Sequence, residues 1–78
     1  MPEITIPTGP IHSEPIHAIV MHPGERSPRA NALALQTALD GIQLGAWDRE
    51  ILDWLAGWEP STVATVCSWL HRVKEAAK

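Results

Sequence analysis

Ser68 and His71 stand three residues apart near the end of the chain, and Asp53 can fold back toward them. A serine, an imidazole and a carboxylate are the parts of a nucleophilic triad, in which the base takes the hydroxyl proton and the acid orients the base. The rest of that machinery is missing: no glycine-rich elbow exposes the serine, and no backbone donors are set up for an oxyanion. Asp48 and Asp53 are a second candidate pair. Acid–base work by two carboxylates needs a cleft that holds them at a defined distance, and short helices enclose little concave volume. Asp48 reads more simply as a helix cap and Asp53 as a solvated position. No phosphate-cradling glycine loop occurs. The chain is therefore expected to be non-enzymatic, with no catalytic residue, no cofactor and no small-molecule substrate.

Metal binding fares no better. His12 and His17 sit in a weak repeat, Pro10-Ile11-His12-Ser13-Glu14 followed by Pro15-Ile16-His17-Ala18-Ile19, and His22 follows. A five-residue step alternates faces in a strand and falls out of register in polyproline geometry, so the imidazoles do not converge. Cys67 is the only cysteine. It forms no internal disulfide, completes no zinc pattern, and falls on an apolar stripe where a thiol behaves as a small hydrophobe.

The remaining chemistry is recognition. Ser61, Thr62, Thr65, Ser68, Arg72 and Lys74 supply hydroxyls and cations along one helical stretch, the inventory of a DNA-reading helix. Arg72 is the candidate for a guanine contact. Against this stand a Trp58-Glu59-Pro60 corner where a helix-turn-helix usually has glycine, and an acidic preceding helix. The formal net charge of the 78 residues is −3, which opposes a strong electrostatic grip on phosphates. The rival partner is protein. Trp47, Trp54, Trp58 and Trp69 are more indole than three short helices readily bury, and Leu33 lies opposite the apolar stripe of its own helix; Leu33, Trp54, Trp58 and Trp69 are the candidate interface positions.

Three helices position these residues. Ser27 is a capping serine with Pro28 at the first helical position, and the first helix is expected to run to about Leu39 or Asp40 and stop at Gly41. Its apolar stripe is Ala32, Leu35, Ala38, Leu39 and Ile42. The second helix is expected to be capped by Asp48, with Trp47 and Leu52 spaced as a hydrophobic staple. Trp47, Ile51, Trp54, Leu55 and Trp58 share one arc, and Leu52 and Ala56 a second, the pattern of a central helix packed on both sides. The third helix starts near Pro60 or Ser61 and runs through Ala77, burying Val63, Val66, Cys67, Leu70, Val73 and Ala77. Ser61, Thr65, Ser68 and Arg72 take its outer face.

Residues 1–26 differ in kind. With residue 28 included, this end holds six of the seven prolines, which excludes regular helix from most of it. Its isoleucines and valine still favour two short extended pieces, Glu3–Ile6 and Ile16–His22, with Thr8-Gly9-Pro10 as the bend between them. The expected fold is all-α: a three-helix bundle over residues 27–78 with a helix-turn-helix-like second half, preceded by a proline-rich, partly extended N-terminal arm. The lack of a long apolar run or a leader-like N-terminus points to a cytoplasmic chain without membrane contact.

Residues 39–72 carry a pattern of Leu44-Gly45-Ala46-Trp47-Asp48, then Ile51-Leu52-Asp53-Trp54-Leu55-Ala56, then Thr62-Val63-Ala64. In this the chain resembles short helical proteins of high-GC actinobacteria and their phages. The resemblance covers under half the chain and implies a compact helical unit of that origin, with no activity attached. The function expected from the residues is a small regulatory or assembly protein acting through protein contacts, self-associating as a homodimer or meeting another protein. A helix-turn-helix DNA-binding regulator is the alternative.

Overall fold

Pro28, Gly41 and Pro60 punctuate the helical part of the chain much as their chemistry requires. The computed structural model describes residues 3–21, 24 and 26–77. Its helices are α1 (Ser27–Ala38), α2 (Ala46–Ala56) and α3 (Pro60–Ala76), and two short strands, β1 (Glu3–Ile4) and β2 (Ile19–Val20), precede them. The strands correct the all-α expectation. They pair antiparallel, Glu3 opposite Val20 and Ile4 opposite Ile19, and the Thr5 N–H extends the ladder by donating to the Ala18 carbonyl at 2.7 Å. Alternation along β2 does the rest: Ile19 is buried and Val20 is exposed, as a strand with one covered face demands.

Local signals set the helix ends, with two corrections. The carbonyl of Arg26, in extended geometry, accepts the N–H groups of Arg29 and Ala30. Arg26 is thus the N-cap, without a side-chain capping bond, and Ser27 lies inside the first turn. At the other end Gly41 has φ 89, a left-handed conformation that glycine adopts without strain. In α2 the N-cap is Gly45. Asp48 sits three residues inside, and its Oδ2 accepts the Gly45 N–H at 2.9 Å, so it stabilises the helix start from within. The helix therefore begins before Trp47, and the expected Trp47–Leu52 staple does not form: Leu52 is buried and Trp47 is exposed.

α1, not α2, is the central helix. It packs against both α2 and α3, which scarcely meet each other. Ala30, Ala34 and Ala38 recur every four residues and are buried with Asn31 and Leu35, so the enclosed arc is rotated toward Ala30 and Ala34 from the one expected. Small side chains there let the flanking backbones approach closely, and α2 answers with Leu52 and Ala56, α3 with Val63, Ala64 and Cys67. Ala18 and Ile19 complete the same core. In so alanine-rich an interior the few larger side chains carry most of the hydrophobic stabilisation, at about 1.5–3 kcal/mol for each fully buried Val, Leu or Ile.

Ile42, Val73 and Ala77 are exposed rather than inward. Ile42 follows the end of α1 and has left its helical phase. On α3 the buried side turns toward Ala64 and Ser68, because residues preceding the helices cover that side too: the Ser68 hydroxyl donates to the Pro7 carbonyl at 2.6 Å.

Candidate protein-interaction surface

Leu52 and Ala56 commit one side of α2 to the core. At about 100° per residue, Trp47, Ile51, Trp54 and Trp58 then fall together on the opposite side. All four are exposed, the indoles of Trp47, Trp54 and Trp58 by 70%, 60% and 47%. Trp54 and Trp58 meet edge to face, with ring centroids 5.4 Å apart and planes at 78°, the arrangement an aromatic quadrupole favours. Trp47 and Ile51 continue into a cleft of about 320 Å³ walled also by Leu39, Ile42, Leu44 and Leu55. The result is an apolar ridge along the helix with a hollow at one end.

The ridge is held in place from behind. Asn31 of α1, wholly buried, donates through Nδ2 to the carbonyls of Ala56 at 2.9 Å and Trp58 at 2.6 Å. The last turn closes through Gly57 N–H to the Trp54 carbonyl and Trp58 N–H to the Leu55 carbonyl. One side chain of the central helix thus fixes where Trp58 stands. Among the described residues the buried Asn31 Oδ1 has no hydrogen-bond partner, a desolvation cost that the two donated bonds offset.

The sequence-derived interface residues divide between three places. Trp54 on α2 and Trp58, two residues past its end, are brought together. Leu33, also exposed, borders a groove of about 760 Å³ with Ile4, Ile6, Thr37, His71 and Glu75. Trp69 is 56% exposed and shares a shallow hollow with Arg72, Val73 and Ala76 on α3.

The residues considered for DNA are placed as follows. Ser61, Thr62 and Thr65 line a cleft opposite the 11–15 loop, where His12 and Glu14 face them, and the Thr65 hydroxyl donates back to the Ser61 carbonyl at 2.9 Å. Ser68 is withdrawn from the outer face expected of it: it is buried under Pro7, which also occupies its hydroxyl. Arg72 is half-buried, with Nε enclosed and without a hydrogen-bond partner among the described residues. Lys74 reaches the Asp40 carbonyl at 2.8 Å, tying the end of α3 to the segment after α1. His12 and His17 are exposed; His22 lies outside the described residues. Cys67 is fully buried, and burial pushes its thiol pKa up to about 11.

Among the described residues, no helix is long and apolar enough to cross a membrane. Compared with protein-family models, curated proteins and solved structures, the chain matches none.

Proposed function

We propose that this chain is a non-enzymatic regulatory or assembly module that works through protein–protein contacts, and that the outer face of α2 is its contact surface. The observation that carries the reading is the continuous exposed line of Trp47, Ile51, Trp54 and Trp58. Contiguous apolar patches are uncommon on chains that remain alone, and large ones mark interaction sites. Tryptophan is also the residue in which binding energy concentrates, because one indole brings much area at little conformational cost. Pinning of Trp58 by Asn31 supports the same reading, since a pre-positioned ridge loses little entropy on association.

Site-specific photo-crosslinking tests it. A benzophenone side chain at position 54, in a full-length chain produced in its source cells, is expected to form a discrete adduct on irradiation, with a second copy or with another protein. The same group at exposed position 17 is expected to give none. Equal adducts from both positions, or none from position 54, would remove the basis of the reading.

A further inference from the structure

The charge around the ridge specifies what it meets. Residues 46–59 hold four carboxylates, Asp48, Glu50, Asp53 and Glu59, against one guanidinium, Arg49; the other residues carry five acids and five bases. The whole formal charge of −3 therefore belongs to α2 and its corner. Asp48, Glu50 and Asp53 are all exposed. On the helical wheel Glu50 and Asp53 fall along one flank of the ridge and Asp48 along the other, so an apolar line runs between acidic edges.

The spacing adds a shape. Trp47, Ile51, Trp54 and Trp58 follow one another by four, three and four residues, the step pattern of a helix seam that packs on another helix. The line is about 16 Å long at 1.5 Å per residue, three turns of a partner helix laid alongside. We propose that α2 docks a cationic amphipathic helix of a partner protein. Apolar side chains of that helix, at three- and four-residue steps, lie along the tryptophan line. Its flanking Lys or Arg side chains meet Asp48 on one edge and Glu50 and Asp53 on the other, and the indole faces attract the same cations. Pairing of α2 with its own copy is the poorer match, because a two-fold axis sets an acidic edge of one copy against an acidic edge of the next, Glu50 against Glu50 in an antiparallel pair and Glu50 against Asp48 in a parallel one. The proposal rests on the reading of α2 as the contact face and adds the chemistry of the occupant.

The probes are two synthetic 14-residue helices with the same leucine seam, one flanked by lysine and the other by glutamate. Each is titrated into the full chain by calorimetry, at low and moderate salt, after sedimentation has established the chain's own oligomeric state. The lysine helix is expected to bind one to one and to weaken with salt, while the glutamate helix does not bind. Glu50→Lys with Asp53→Lys is expected to weaken the lysine helix roughly tenfold or more, as loss of close charge pairs does. Trp54→Ala with Trp58→Ala, checked for folding by circular dichroism, is expected to abolish binding. Equal binding of the two helices, no binding of either, or indifference to the charge reversal overturns the cationic partner while leaving α2 as a contact face. Undiminished binding by the double alanine variant overturns the contact face itself. Self-association that the alanine pair abolishes makes a second copy the occupant and also overturns the proposal.

Discussion

α1 and α2 each carry apolar residues around more than one face, and the fold treats them in opposite ways. α1 is enclosed between α2 and α3 through Ala30, Ala34, Leu35 and Ala38. α2 buries only Leu52 and Ala56 and leaves Trp47, Trp54 and Trp58 in solvent. Size, not hydrophobicity, decides which helix goes inside. A helix gripped from two sides needs small residues where backbones approach, and an indole there forces its neighbours off their rotamers. The larger hydrophobic surface is consequently the one left available for contact.

The sharpest way to break this contrast is to empty the enclosed side. Leu35→Ala removes the largest wholly buried side chain and is expected to cost about 3 kcal/mol, because helices already seated on alanines cannot collapse further into the cavity. Urea unfolding followed by tryptophan fluorescence measures it, and a loss within experimental error would show that the interior does not depend on α1 in this way. Asn31→Ala comes next, at about 2 kcal/mol, since one buried and one part-buried carbonyl lose their donor. Its distinguishing signature is local: hydrogen exchange at the Gly57 and Trp58 amides should speed up more than at those of α3.

Ser68→Ala is expected to cost about 1 kcal/mol through the lost bond to the Pro7 carbonyl. Exchange at the Thr5 amide should rise with it if that bond holds residues 3–8 to α3. Neighbouring Cys67 adds a pH-dependent test of the same enclosed layer. An exposed thiol releases its proton near 9.0, whereas the buried one holds it to about 11. Across that window the unfolded chain binds fewer protons than the folded one, so this contribution to stability is intact below pH 9 and declines as pH rises toward 11. The stability advantage of the natural chain over Cys67→Ala should shrink over that range; a constant gap would mean the thiol titrates normally in the fold.

The smallest effect belongs to the outer face. Trp54→Ala removes an exposed ring and one edge-to-face contact, so a change below about 1 kcal/mol is expected. Differential scanning calorimetry on the isolated chain decides it. A loss comparable to that of Leu35→Ala would mean that the ridge serves the fold rather than a partner, and the contrast between the helices would disappear.

Periodicity and breakers place both ends of α1 and α3 and the far end of α2 within a residue or two, because proline geometry and glycine's freedom act over one turn. The start of α2 lies three residues earlier than expected, with Gly45 rather than Asp48 as its cap. Periodicity also grouped Trp47, Ile51, Trp54 and Trp58 correctly on one arc. It assigned that arc to the interior, since a repeat states which residues share a side and not which side faces the core. Asn31 and Ser68 were out of reach for a different reason: their carbonyl partners lie 25 to 61 residues away in sequence. Neither residue type nor local spacing announces such a pairing.

The amino-acid order by itself determined the local elements, the acidic character of the second helix and the alignment of its tryptophans, all consequences of interactions within a turn or two of chain. Tertiary structure decided which helix is enclosed, that Ser68 is covered by residues from the other end of the chain, and that the tryptophan line faces outward. Those outcomes depend on competition between surfaces for a small interior, and α1 wins it because its alanines let two helices come close at once.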